Sequence, residues 1–322
     1  MKRYVVSAVC VAAALLLSGS CVPSGTVPPG SMNITLELAD TLRLAPDSIA
    51  KLVQADARVI EARVKRFSPL FWSVKDKDLR IVVQLPGIAN RVRAESLICK
   101  PGLLEFTLLA DDKRTEQVIN KVDSLLRPRQ RQDPVGSFRT YIASAGGDLA
   151  VDEQYYPIVR DMLGMVDAAH IAVDYKFFFG PKEREAGGIV RKLYLLRRVP
   201  EMSTADGKMI DKAVSRRYTG TDDPSASNTF IVDFTLSRTS NVNYNPVVKF
   251  ATVTQRNVNK RLAIVLDSVV LSAPVIKSKI PDGQGMITTG DVDGEKARDL
   301  AVILSTEVLP ARVTVTQVNA GK

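Results

Sequence analysis

The chain has 322 residues, of which 45% are apolar, and its 44 basic and 35 acidic residues give a formal net charge of +9. This composition excludes a wholly disordered or collagen-like chain. A single histidine, His170, excludes a metal site built from several histidines, and three cysteines cannot form a disulfide framework.

The first 20 residues have the pattern of a bacterial secretory signal peptide. Lys2 and Arg3 precede an uncharged apolar run over 5–17, which is shorter than the roughly 20 residues of a membrane span. Small residues then lead directly into Cys21, as they do before a lipidated cysteine. We expect removal of residues 1–20 and lipidation of Cys21. An ordinary cleaved signal peptide and an uncleaved anchor are the alternatives.

Residues 21–31 are rich in Pro, Gly and Ser, which predicts a flexible tether. The body that follows is therefore expected to be lipid-anchored to a bacterial membrane and to face the periplasm, with the choice between inner and outer membrane open. Cleavage would remove Cys10 and leave Cys99 as a buried apolar residue.

The first 110 residues predict a β-α-β-α-β succession of the split α+β type. The long helix starts at Pro46 and has an apolar stripe at spacings of three and four, with Arg58 and Arg63 expected on its solvated side. The other predicted elements are a strand at 33–39, a strand at 79–85 ending in the Pro86-Gly87 turn, a helix at 91–99 and a strand at 103–109.

The apolar residues in the middle of the chain follow less regular spacings. A helix from 112 to 126 directs Leu125 inward and is stopped by Pro128. A second helix spans 155–163. Strands at 171–179 and 189–199 form a hairpin around a long turn.

The C-terminal third alternates strands and helices. The predicted elements are a strand at 229–236, a helix at 246–258, strands at 261–267 and 268–276, a helix from 295 to about 307, and a strand at 312–318. Asp291 or Asp293 is expected to cap the helix that follows, because the Asp-rich stretch has too few carboxylates for an EF-hand calcium loop.

Several of these segments resemble the SecD protein-export family. The residues that carry the resemblance are NVNKRLAIVLD at 257–267, VVLSAPVI at 269–276, ITTG at 287–290, RIVVQLPGI at 80–88 and LEF at 104–106. They keep the family's order from about residue 33 to residue 318. The match is to the family's first periplasmic domain, and the family's transmembrane helices have no counterpart in this chain, so we expect no proton-driven motor here.

The resemblance implies an α+β fold with a ferredoxin-like base built from both chain ends and an inserted α+β head subdomain. We place the base at 31–110 and 291–320, the head at 196–290, and an insertion or linker region of the head at 111–195. The family usually has Gly where Ser268 follows the strand. Family-motif residues with a structural or partner-contacting role are Arg261, Asp267, Ser272, Ala273, Pro274, Pro86 and Gly87.

The resemblance implies a periplasmic domain that assists protein export by contacting translocating polypeptide or the Sec machinery. The expected function is non-enzymatic, with no cofactor, metal or catalytic residue. His170 lacks a nearby Ser or Cys nucleophile pattern, so a hydrolase is disfavoured. Expected partners are exported or unfolded polypeptide, Sec translocon components and a membrane, but not nucleic acid. The hairpin at 261–276 could offer an edge or groove to an extended chain, or lie buried in the head. The alternative function is an envelope lipoprotein that keeps the fold as a scaffold outside the export pathway.

Overall fold

The computed structural model describes residues 31–68, 72–86, 90–130, 136–165, 173–185, 187–221, 226–238 and 244–320. Helices and strands are mixed throughout these ranges, which confirms the predicted α+β class. The predicted signal peptide, Cys21, Gly87 and His170 lie outside the described residues. None of the helices within the described ranges is long and apolar enough to cross a membrane.

The described part of the chain contains six α-helices and fifteen strands. The helices are α1 (Pro46–Phe67), α2 (Arg91–Cys99), α3 (Asp112–Gln130), α4 (Tyr156–Met165), α5 (Pro246–Arg256) and α6 (Glu295–Leu304). The strands up to the middle of the chain are β1 (Ser31–Leu38), β2 (Ser73–Lys77), β3 (Arg80–Pro86), β4 (Leu104–Leu108), β5 (Ala143–Ala145), β6 (Asp148–Asp152), β7 (Tyr175–Glu185) and β8 (Gly188–Arg197). The remaining strands are β9 (Met202–Ser203), β10 (Ile210–Arg217), β11 (Phe230–Leu236), β12 (Leu262–Leu266), β13 (Val269–Ser272), β14 (Gln284–Asp291) and β15 (Val313–Ala320).

Both chain ends build one four-stranded sheet with the order β15-β1-β3-β2. Its elements follow one another as β1-α1-β2-β3-α2-β15, which is the ferredoxin-like succession interrupted before its last strand. Apolar residues of α1 and α2 pack on this sheet and form a core of their own. The predicted ferredoxin-like base is therefore confirmed, and we call this unit the base.

The chain between α2 and β15 forms two further sheets, an eight-stranded one ordered β5-β6-β8-β7-β13-β12-β4-β9 and a three-stranded one ordered β10-β11-β14. β4 pairs with β12 and β9 and does not join the base sheet, so the predicted β-α-β-α-β unit is wrong in its last strand. α6 packs on the three-stranded sheet, and its apolar face joins the large core that contains Phe106 and Phe250. We call the part of the chain from β4 to α6 the head.

The hairpin of β12 and β13 lies inside the eight-stranded sheet. β12 pairs with β4 on one side and β13 on the other, and all five of its residues are buried. β13 in turn is bridged to β7 through Val269 and Phe179. The possibility that this hairpin offers a free strand edge is therefore wrong. β12 is buried in the head, whereas β13 is only partly buried and Val275 at the end of the hairpin is exposed.

Arg63 and Leu79 are among the residues whose burial differs from what the sequence predicts. Arg63, predicted on the solvated side of α1, is fully buried because it lies on the same face as Ile60 and Val64. Leu79, the first residue of the strand predicted at 79–85, is 47% exposed in the turn between β2 and β3, where its φ of 60° is left-handed.

Two boundaries in the middle region also differ. α3 continues past Pro128, which lies in its last turn and removes only one backbone donor there. The long turn expected between the hairpin strands is instead strand, because β7 runs to Glu185 and accommodates Pro181 at a register shift between Phe179 and Lys182. On α3, Leu126 is buried in place of Leu125.

The expected cap of α6 is present. Oδ2 of Asp291 accepts a hydrogen bond from the Ala297 N–H at 3.0 Å, and Oδ1 of Asp293 accepts one from the Glu295 N–H at 3.0 Å. The N-cap position itself is Gly294, which has a left-handed φ of 80°. Both carboxylates thus satisfy backbone donors at the positive end of the helix.

Candidate functional site

An apolar pocket of about 280 Å³ opens in the head. Its wall contains three phenylalanines from three different elements, Phe106 of β4, Phe234 of β11 and Phe250 of α5. The Phe106 ring centroid lies 5.8 Å from that of Phe234 and 5.3 Å from that of Phe250, distances typical of favourable aromatic pairs. The rim includes Pro274–Ile276, where Val275 is 50% exposed. The rim is thus exposed to solvent, and the three rings beneath it are 1–4% exposed.

The helix α5 fixes one side of this pocket. Its N-cap Asn245 accepts a hydrogen bond from the Val248 N–H at 3.2 Å, and Pro246 follows at the first helical position. The buried Thr254 hydroxyl donates to the Phe250 carbonyl at 2.8 Å and accepts from the Ile280 N–H at 3.0 Å. This hydroxyl ties the loop that follows the pocket rim to the helix that carries Phe250.

Gly285 of β14 leaves space for the Cζ end of the Phe234 ring in the pocket wall. A Cβ at this position would meet Cζ of Phe234 at 2.3 Å, closer than any real contact. The glycine is therefore required by the approach of the ring and not by its own backbone conformation.

Among the predicted motif residues, Arg261 anchors the pocket rim. Its Nε donates to the Ala273 carbonyl at 2.9 Å, and both Nη atoms donate to the Asp148 carboxylate of β6. Its guanidinium also lies over the Tyr194 ring, 5.8 Å from the centroid. Pro274 contributes its carbonyl, which accepts from the Leu262 N–H at 3.0 Å. Arg261 thus connects Ala273, next to the rim, to Asp148 of β6 and fixes the position of the rim.

A second group of polar contacts lies where the chain passes between base and head. Oδ1 of Asp267 accepts hydrogen bonds from the Gly102 and Leu103 N–H groups at 2.9 and 2.8 Å, and burial raises the pKa of this carboxyl. Asp267 and Ser268 form the two-residue turn of the β12-β13 hairpin with φ values of 51° and 68°. The motif aspartate therefore fixes the outgoing crossing at 100–103.

Arg63 fixes both crossings at once. Its guanidinium nitrogens donate to the carbonyls of Leu97, Lys100, Pro101 and Glu307 and to the Thr306 hydroxyl. Burial lowers the pKa of Arg63 to about 10.

A cleft of about 700 Å³ lies beside Arg63 and is lined by α1, by residues 207–210 and by the end of α6. The ion pair of Arg93 with Asp299 at 2.6 Å adds another polar link between α2 and α6.

The other sequence-predicted residues take no part in these arrangements. Ser272 ends β13 opposite Ile264, and Pro86 ends β3 opposite Ser31. Cys99, expected as a buried residue, is half-buried and free, and burial raises the pKa of its thiol to about 11. Among the described residues, no group of three or more His, Cys, Asp or Glu side chains could hold a metal ion.

The residues that form the pocket wall are not identified by the sequence patterns. Phe106 and Phe250 fall on apolar faces, but nothing local indicates that they meet Phe234. Asp148 is likewise missed, because its partner Arg261 lies 113 positions away in the sequence. An alternating apolar pattern identifies such residues as inward-facing and does not identify their neighbours.

Residues 197–311 match the family model described as the SecDF P1 head subdomain. The protein translocase subunit SecD of Rhodothermus marinus is 26% identical over 288 residues, covering 80% of this chain and 45% of that protein. The SecD of Aquifex aeolicus is 57% identical over 63 residues, 20% of this chain and 12% of that protein. The chain spans less than half the length of the curated relatives it matches.

A solved structure supports the fold. It was described as a membrane component SecDF that enhances protein export, is 22% identical, and superposes with a TM-score of 0.50 over 89% of this chain and 99% of that one. Residues 197–311 are therefore similar to the SecDF P1 head subdomain, most of the chain is similar to SecD subunits, and the described fold is similar to that of SecDF.

Proposed function

We propose that this chain assists protein export by holding apolar side chains of an extended polypeptide in the head pocket. The observation that carries the proposal is the cluster of Phe106, Phe234 and Phe250 beneath a half-exposed rim. Relatives described as translocase subunits, and a SecDF structure described as enhancing export, support the choice of ligand. The proposal includes no chemical step.

The size of the pocket suits a weak, reversible contact. Fully burying one apolar side chain contributes about 1.5–3 kcal/mol, roughly a ten- to hundredfold gain in affinity. Such a contact retains a segment for a short time and then releases it. A domain that contacts a moving chain needs this behaviour, since tight binding would stop the movement.

Site-specific photocrosslinking in cells tests the proposal. A photoreactive residue at Val275, on the pocket rim, is expected to capture an exported polypeptide that is arrested during translocation. Val92 is the matched control, because it is an exposed valine of α2 in the base, remote in sequence from the head pocket. Absence of the product at Val275, or equal products at both positions, would contradict the proposal.

We further propose that the division between base and head lies at the two crossings, near 100–103 and 305–309, and not at 110 and 291. Both crossings are bound by Arg63, and the elements between them pair or pack within the head. The motif residues Arg261 and Asp267 are then positioning residues, one for the pocket rim and one for the crossing.

Lipidation of Cys21 is a separate proposal that rests on the sequence pattern alone. Labelling with a radioactive fatty acid is expected to mark the wild type and not Cys21→Ala.

The alternative function is an envelope scaffold outside the export pathway. If deletion of the gene leaves secretion unchanged and alters the cell envelope, this alternative replaces the export role.

A further inference from the structure

Asp56 lies near the middle of α1 with no exposed surface. Its Oδ1 accepts a hydrogen bond from the Ala311 N–H at 3.2 Å, while its Oδ2 has no hydrogen-bond partner among the described residues. On the same helix face, Val53 and Ile60 are buried in the apolar core of the base. A carboxylate in this position is poorly solvated, and its burial costs more free energy than that of a neutral carboxyl.

The charges near Asp56 do not reverse this preference. Arg63, two turns along α1, favours the carboxylate, but its guanidinium is bonded to carbonyls and to Thr306. The packed segment 305–312 carries Glu307 and Arg312, α2 carries the half-buried Cys99 with its raised pKa, and the base strands contribute apolar residues to this core. Burial dominates and raises the pKa of Asp56 to about 6, although the Ala311 N–H and Arg63 oppose it.

We propose that Asp56 makes the attachment of the return segment, residues 305–312, to the base depend on pH. The neutral carboxyl accepts the Ala311 N–H and keeps the segment closed on α1. The carboxylate requires water at Oδ2, and water reaches Oδ2 only when the segment loosens. The inference concerns the base and is independent of whether the head binds polypeptide.

The direction follows from proton binding. The carboxyl pKa is about 6 in the closed state and near the ordinary 3.8 once the segment opens, so the closed state binds more protons between these values. Closure is therefore strongest below about pH 4, weakens as the pH rises through about 6, and is constant above that. Two pKa units correspond to about a hundredfold change in the closing equilibrium.

Amide hydrogen exchange of the full chain at pH 4.5 and 7.5 tests this dependence, with each rate corrected for intrinsic exchange. The protection factor of the Ala311 amide is expected to fall at least tenfold from the lower to the higher pH in the wild type. Asp56→Asn keeps an acceptor for that amide and cannot ionise, so its protection should not change with pH. Asp47→Asn, at an exposed position in the first turn of α1, should behave as the wild type.

A second measurement requires no variant. The ¹³C signal of the Asp56 carboxyl in the wild type is expected to titrate with a midpoint near 6. A midpoint below 5, or the same change in Ala311 protection in wild type and Asp56→Asn, would overturn the proposal.

Discussion

Gly102 lies directly against the guanidinium of Arg63, so that a Cβ on Gly102 would come within 2.9 Å of Nη2 and within 3.3 Å of Cγ2 of Ile303. The backbone here has a left-handed φ of 85°, and the Gly102 N–H donates to Asp267. The residue at which the chain leaves the base for the head is thus enclosed by one buried cation and one buried carboxyl. Any side chain at this position must displace Arg63 from its acceptors.

Gly102→Ala is therefore expected to destabilise the chain by about 3 kcal/mol, since the left-handed conformation and the overlap with Arg63 both oppose a Cβ. Chemical denaturation measures the change. Gly146→Ala is the matched control, because Gly146 has a φ of 59° and no other atom lies within 4 Å of the place that its Cβ would take. It should cost only about 1 kcal/mol. Equal losses would show that Arg63 does not restrict position 102.

Ser268→Gly is expected to stabilise the chain by about 1 kcal/mol. Ser268 takes a φ of 68° in the two-residue turn between β12 and β13, a conformation that glycine adopts without a Cβ penalty. The midpoint of urea unfolding should rise while the slope stays constant. Ser272→Gly, on β13 of the same hairpin, should instead lower stability by about 0.5–1 kcal/mol. A loss on Ser268→Gly would contradict the account.

The sequence predicts the base more completely than the junction. Its strands and helices have regular apolar patterns, and only β2, which carries Lys75, Asp76 and Lys77, is not recognised. On α1, however, Asp56 and Arg63 occupy the apolar three- and four-residue spacing of Val53 and Ile60. Their charge suggests solvation, whereas the spacing indicates burial. Charged residues at core positions of a helix are the signal that could have revealed the junction.

The head can be predicted only in part, because its arrangement depends on pairs distant in sequence. β4 has the same apolar pattern whether it pairs with β3 or with β12, and only the long-range partner decides its sheet. The Asp148–Arg261 contact spans 113 positions and has no local signature. The local sequence therefore predicts whether a segment is a helix or a strand. It does not predict which sheet a strand joins or which side chains meet in the pocket wall.

The contact between Arg261 and Asp148 is expected to contribute about 1–2 kcal/mol of coupling, since it is a charged hydrogen-bonded pair and the carboxylate is largely buried. A double-mutant cycle of Arg261→Gln and Asp148→Asn in denaturation experiments measures it. The exposed neighbours Arg160 and Asp161, treated in the same way, should couple by less than about 0.5 kcal/mol. A coupling free energy no greater than that of the control pair would contradict the role of Arg261 as an anchor of the pocket rim.

Gly285→Ala is expected to reduce polypeptide capture at Val275, because the added Cβ would overlap the Phe234 ring and force it out of its position in the pocket wall. Overpacking of this kind also lowers stability by about 1–3 kcal/mol, so photocrosslinking should be compared well below the unfolding temperature and normalised to folded protein. Gly187→Ala, with no atom within 4 Å of its Cβ, should change neither quantity. If Gly285→Ala retains full crosslinking at Val275 although Phe234 has moved, the phenylalanine cluster does not bind the exported chain, and the contact lies elsewhere on the rim.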